Sequence, residues 1–139
     1  MKHFSIKELT RSDTAIRKGI DNTAPKEEQE NLTRLVDKVL DPLREAWGGP
    51  ITVTSGYRSA ALNRAVGGSA TSDHLKGCAA DITVGSREQN KKLFMLIRKL
   101  GLPFDQLIHE KGSVKDGPDW VHVSYRRMGQ NRKQILYLK

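Results

Sequence analysis

Apolar residues recur at helical spacing through the second quarter of the chain. Leu32, Leu35, Val36, Val39, Leu40, Leu43 and Trp47 fall three, four or seven apart and form one stripe, the pattern of a helix that buries one face. It predicts a helix from about Pro25, suited to a first turn, to Trp47, with Gly48-Gly49-Pro50 as its stop. Pro42 lies inside the stripe and should kink the helix or end it early. A second stripe, Leu93, Phe94, Ile97 and Leu100, predicts a helix opened by the capping sequence Ser86-Arg87-Glu88-Gln89 and closed by Gly101. Ser5-Ile6-Lys7-Glu8 has the same capping form and predicts a short helix. A further one is expected over 60–66, and the polar stretch from Arg11 to Ala24 reads as a loop.

Elsewhere the period shortens to two. Strands are expected over 51–54, 79–84, 104–110 and 120–124, and Ile135-Leu136-Tyr137-Leu138 reads as a last strand or a docked extended segment. In the third of these, Gln106, Ile108 and Glu110 share one face, while Asp105, Leu107 and His109 share the other. Trp120, His122 and Ser124 share a face of the fourth, which pairs with the third as a hairpin across a long connection.

Composition narrows the classes. A chain of 139 residues, 37% hydrophobic and 29% charged, suits one compact soluble domain over 1–139. No apolar run approaches the roughly 20 residues of a membrane span. The N-terminus lacks the apolar core of a secretory signal, so unaided export is not expected. The single cysteine, Cys78, excludes an internal disulfide and a cysteine-built zinc cluster, and between Gly77 and Ala79 it reads as a small buried hydrophobe. The net charge of +8 invites a nucleic-acid reading. Lys and Arg are scattered, however, with no aromatic stacking platform between them, so no specific nucleic-acid partner is expected. A solvated basic face comes first, attraction to anionic cell-wall polymers second.

The candidate chemistry centres on Ser72-Asp73-His74-Leu75-Lys76-Gly77-Cys78-Ala79-Ala80-Asp81. It sets a histidine and an aspartate seven residues apart among small residues, and both are ordinary ligands of a small dication. A catalytic zinc takes three protein ligands and keeps one position open, and His122 supplies the third from its strand. His74, Asp81 and His122 are therefore the candidate metal ligands. Two histidines and a carboxylate would also suit iron or cobalt.

Ser72, His74, Gly77, Ala79 and Asp81 together resemble the Ser-x-His-x-x-Gly-x-Ala-x-Asp zinc signature of the M15 peptidases, the D-alanyl-D-alanine carboxypeptidase and dipeptidase group. Trp120-Val121-His122-Val123-Ser124 resembles its second metal segment. Ser55-Gly56-Tyr57-Arg58-Ser59 with Leu62-Asn63-Arg64-Ala65-Val66-Gly67-Gly68 is similar to the stretch that precedes the signature in M15A-type domains of phage endolysins. The resemblance covers about residues 51–125.

It implies an α+β fold of the Hedgehog/DD-peptidase kind, with helices on one face of a small, mainly antiparallel sheet. It also implies zinc as cofactor and peptidoglycan stem peptides as substrate. Arg58 would hold a substrate carboxylate or steady the oxyanion, and Ser72 would orient His74 or touch substrate. The general base is sought among carboxylates near His122. Asp119 matches the acidic position of the family's Glu-x-x-His pattern, one methylene shorter; Glu110 on the neighbouring strand is the rival, with Asp116 behind it. A monomeric lysis enzyme of phage or prophage type, held in the cytoplasm until released to the wall, is the expectation. Two alternatives stand beside it: a non-catalytic, zinc-stabilised binding module on the same fold, and a basic nucleic-acid-binding protein. Carboxypeptidase and endopeptidase are not distinguished, nor is the bond cleaved.

Overall fold

The computed structural model describes residues 1–139. Its helices begin where side chains can satisfy free backbone N–H groups. Ser5 Oγ accepts from the Glu8 N–H at 3.1 Å and opens α1 (Ile6–Thr10). Ser12 does the same for Ala15 and opens α2 (Asp13–Lys18), which Gly19 ends in the left-handed conformation at φ 65°. This second helix corrects the loop expected over 11–24. It buries only Ala15, so it leaves no apolar period to read, and its caps define it instead.

The expected long helix is present in three parts. α3 (Lys26–Leu35) runs into a π-helical turn, Val36–Leu40, and then α4 (Asp41–Trp47). The disturbance expected at Pro42 takes the form of that widened turn just before it. The Asp41 N–H reaches back to the Val36 carbonyl, and Pro42, which has no N–H to donate, falls in the first turn of α4. Buried Asp41 accepts the backbone N–H groups of Lys2 at 2.7 Å and His3 at 3.0 Å, which ties the N-terminus to this helix. His3 thus lies remote from the candidate ligands.

After β1 (Thr52–Ser55) come α5 (Ala60–Ala65), a 3₁₀ turn (Asp73–Lys76) and β2 (Ala79–Thr83). α6 (Arg87–Leu100), capped by Ser86 and closed by Gly101 as the sequence predicts, leads to β3 (Gln106–Glu110), β4 (Trp120–Ser124) and β5 (Gln134–Leu138). The sheet order is β1-β2-β4-β3-β5. β1 with β2, β2 with β4 and β4 with β3 are antiparallel, and only β5 joins in parallel, on β3. The α+β architecture with a mainly antiparallel sheet is therefore as expected.

Alternation along the strands separates two environments. Ala80, Ile82, Leu107, Val121 and Val123 turn to the helices and join Leu32, Leu35, Val36, Leu40, Phe94 and Ile97 in one core. Each of these large side chains contributes about 1.5–3 kcal/mol by leaving water. The alternate residues, Asp81, Ile108, Glu110, Trp120 and His122, line a cavity on the opposite face. The helices thus cover one face of the sheet, and its uncovered face carries the polar groups.

Candidate metal centre

Strand register places two of the candidate ligands side by side. Asp81 and His122 are direct partners across β2 and β4, and Ile108 of β3 partners His122 on its other side. His74 arrives from the 3₁₀ turn. Ser72 opens that turn by accepting the His74 N–H at 3.2 Å, and Gly77 closes it in the left-handed conformation at φ 72°. A Cβ on Gly77 would lie 2.6 Å from the Glu28 carbonyl oxygen, so both conformation and space require glycine there.

Two contacts lace this turn to the loop after β1. His74 Nδ1 lies 2.7 Å from the Gly56 carbonyl, and the Arg58 N–H donates to the His74 carbonyl at 3.0 Å. A carbonyl can only accept, so Nδ1 carries the proton and Nε2 presents its lone pair. Gly56 is itself constrained, since a Cβ there would collide with the Leu9 carbonyl.

The three side chains converge. His74 Nε2 is 3.3 Å and His122 Nδ1 3.0 Å from the same oxygen, Asp81 Oδ1. One ligand atom from each lies within 4.8 Å of the others, and all three residues are buried. Burial opposes the charge on Asp81, but the polar surroundings, first of all the hydrogen bond from His122, overcome it and hold the carboxyl far below the usual carboxylate range. An ionised carboxylate faced by the lone pair of His74 Nε2 lacks a positive centre between them. A dication fits this donor set, and two imidazoles with one carboxylate form a zinc set with a position left open.

Arg58 lies beside the candidate ligands, with one hydrogen bond made by each guanidinium nitrogen and one N–H left on each terminal nitrogen. Nε donates to Ser55 Oγ at 3.0 Å, Nη1 to Asn63 Oδ1 at 3.2 Å and Nη2 to Asp81 Oδ2 at 3.5 Å. Burial draws its pKa down, while Asp81 and Glu110 act in the other direction. Gly68 covers this clamp, where a Cβ would collide with Asn63 Oδ1 and stand 2.9 Å from Arg58 Nη1. Asn63 and Ser55 were present in the motif that carries the resemblance, but spacing gave neither a role.

The two candidate bases separate cleanly. Glu110 lines the cavity of about 410 Å³ that also contains Arg58, Ser72, His74, Asp81 and His122. It is half-buried, and burial, reinforced by the charge of Asp81, raises its pKa against the opposing pull of His122, His74 and Lys111. Asp119 is not among the cavity's lining residues. Its Oδ1 lies 2.6 Å from Arg87 Nε at the start of α6, and its backbone carbonyl accepts from Asn90. Parity explains the difference. Residues three apart leave an extended chain on opposite sides, whereas Glu110 pairs with Trp120, which has the parity of His122. Asp116 lies in the loop between β3 and β4, where its N–H bonds Ser113, and is likewise absent from the lining.

Other expectations change or gain detail. His109, on the strand face it shares with Leu107, is buried on the helix side against Phe94 and Tyr137. Cys78 is buried, and burial pushes its thiol up to about 11, in keeping with an inert side chain. The basic C-terminal flank is more than solvated charge, because Arg126 and Arg132 both line the cavity. They follow the His122 strand directly in sequence, a signal that reading strand ends as site edges would have used.

Comparison with known proteins points to a family. A family model described as Peptidase M15 matches residues 2–124. The zinc D-Ala-D-Ala carboxypeptidase of Streptomyces albus G is 47% identical over 49 residues, which cover 34% of this chain and 19% of that protein. The chain therefore matches a minor part of that relative's length.

Proposed function

The chain belongs to the M15 peptidase family, and on that premise we propose that it is a zinc-dependent peptidase acting on the stem peptides of peptidoglycan. The observation that carries the reading is the convergence of His74, Asp81 and His122 beside Glu110 and Arg58 in one cavity. Zinc held by the three ligands would supply Lewis acidity toward the amide carbonyl and lower the pKa of water at the open position. Glu110, with its affinity for protons raised, takes the proton of the attacking water and returns it to the leaving amine. Arg58, fixed by Ser55, Asn63 and Asp81, steadies negative charge on the substrate oxygen or carboxylate. Ser72 sets the turn that aims His74. In this assignment Asp119 anchors the β3–β4 loop to α6 through Arg87.

Glu110 also weighs against a metal-stabilised module without catalysis, because a binding domain has no use for a half-buried carboxylate with a raised pKa beside its metal ligands. An endolysin-type role is supported by the likeness of the stretch from Ser55 to Gly68 to phage domains. D,D-carboxypeptidase action is supported by the named activity of the Streptomyces relative. The test is digestion of purified peptidoglycan by zinc-loaded protein with and without chelator, with product masses read out. Chelator-sensitive release of new peptide termini is expected, and the masses identify the bond. Intact peptidoglycan in both arms, with zinc bound, would favour the module.

A further inference from the structure

Arg126 and Arg132 are built into the cavity wall in a way that solvated basic residues are not. Both are about half exposed, at 42% and 49%, yet both are held from behind by Asp105, whose side chain has no exposure at all. Arg132 donates through Nε at 3.0 Å and Nη2 at 2.9 Å to the two Asp105 oxygens, a bidentate fork. Arg126 Nε stands 3.3 Å from Asp105 Oδ2 and 3.5 Å from Asp73 Oδ2. The backbone is fixed as well: the Arg132 N–H donates to Asp105 Oδ1 at 3.1 Å, and the Arg126 N–H to Asn131 Oδ1 at 2.8 Å. These bonds occupy Nε of Arg126 and Nε and Nη2 of Arg132. Both residues line the cavity, Arg126 at its border with a neighbouring pocket that it also lines.

Their position relative to the ligands is given by β3. Ile108 is level with His122; Glu110 lies two residues to one side, and Gln106, beside Asp105, two residues to the other. Two strand residues span about 6.7 Å. Glu110 and the arginine pair therefore flank the metal ligands from opposite ends. An extended peptide advances about 3.3–3.6 Å per residue. With its scissile amide over the ligands and its leaving amine toward Glu110, it would bring a residue about two positions along the acyl side over the arginines.

Resting on the peptidase reading above, we propose that Arg126 and Arg132 form a specificity subsite for a free carboxylate on the acyl side of the scissile bond. It would select acidic stem peptides over their amidated counterparts. A carboxylate there accepts two preorganised, charge-assisted forks, whereas a carboxamide carries no charge and presents N–H donors to donors.

The test uses stem pentapeptides that differ only in a free carboxylate or a carboxamide at residue 2, or likewise at residue 3. Zinc-loaded wild type is compared with Arg126→Gln, Arg132→Gln and Arg132→Lys. The wild type is expected to favour the carboxylate at one of the two positions by about 10- to 100-fold in kcat/KM, mainly through KM. Either Gln substitution should pull that ratio toward one, and Arg132→Lys should recover part of it. A purely structural role would lower both rates and leave the ratio intact, and that result would overturn the proposal. Equal cleavage of all four peptides by wild type would overturn it alone. No cleavage of any peptide, or of whole peptidoglycan, would overturn the peptidase reading and the subsite with it.

Discussion

His109 and His122 stand on paired strands one register step apart, since His122 partners Ile108 and His109 partners Val121. Both are buried, at 3% and 8% exposure. His109 turns to the helices, with its ring edge-on to Phe94 at 5.3 Å and tilted against Tyr137 at 5.0 Å. Its Nε2 has no hydrogen-bond partner, and burial lowers its pKa and keeps the ring neutral. His122 turns the other way, to a carboxylate oxygen 3.0 Å distant and a second imidazole whose centroid is 5.1 Å away. Burial therefore does not separate a structural histidine from a candidate ligand. The face does, through what the neighbouring strand presents at the same level.

The sharpest way to break this comparison is on the cavity face. Glu110→Gln should cut turnover about 10²–10⁴-fold while zinc stays near one per chain. Asp119→Asn, whose carboxylate serves Arg87 outside the cavity, should stay within about threefold in steady-state assays. A dead Asp119→Asn beside an active Glu110→Gln would reverse the assignment. On the helix face, Leu107→Ala leaves a cavity in the core. It should cost about 2–5 kcal/mol in denaturant unfolding, with zinc content and the kcat of folded protein retained. Loss of zinc at unchanged stability would show that the two faces are not separable.

A subtler effect concerns pH. The His109 pKa is lowered from 6.5 in the folded protein, so below that pH the unfolded chain holds the additional proton. The stability contributed by neutral His109 is complete above pH 6.5 and is lost as pH falls through that value toward the folded pKa. His109→Phe should flatten the loss of melting temperature between about pH 6.5 and 5. The smallest expected effect is at Cys78, where a thiol raised to about 11 should resist iodoacetamide at pH 7.5 in the folded protein and react after unfolding.

Much of this arrangement is legible in the chain, because helical stripes and capping serines act locally. The α6 boundaries follow from them, and the strands carrying Asp81 and His122 follow from the shorter period of two. Strand parity likewise shows Glu110 and His122 on definable faces, but which face is solvated depends on where α3 and α6 pack, and that is set by long-range contacts. Asp119 illustrates the cost of reading a spacing without its element, since three residues mean one side on a helix and opposite sides on a strand. α2 was missed because a short helix with one buried alanine has no period. Arg126 and Arg132 were missed because their partner, Asp105, lies 21 and 27 residues away in sequence, and nothing local marks the pairing.

The most direct test of the central claim is zinc per chain, by elemental analysis of dialysed protein, in wild type, His122→Ala and His109→Phe. About one zinc in wild type and His109→Phe, and little or none in His122→Ala with its helical signal intact, is the expected result. Equal zinc in His122→Ala and wild type, or none in any of the three, would contradict a metal centre built from His74, Asp81 and His122.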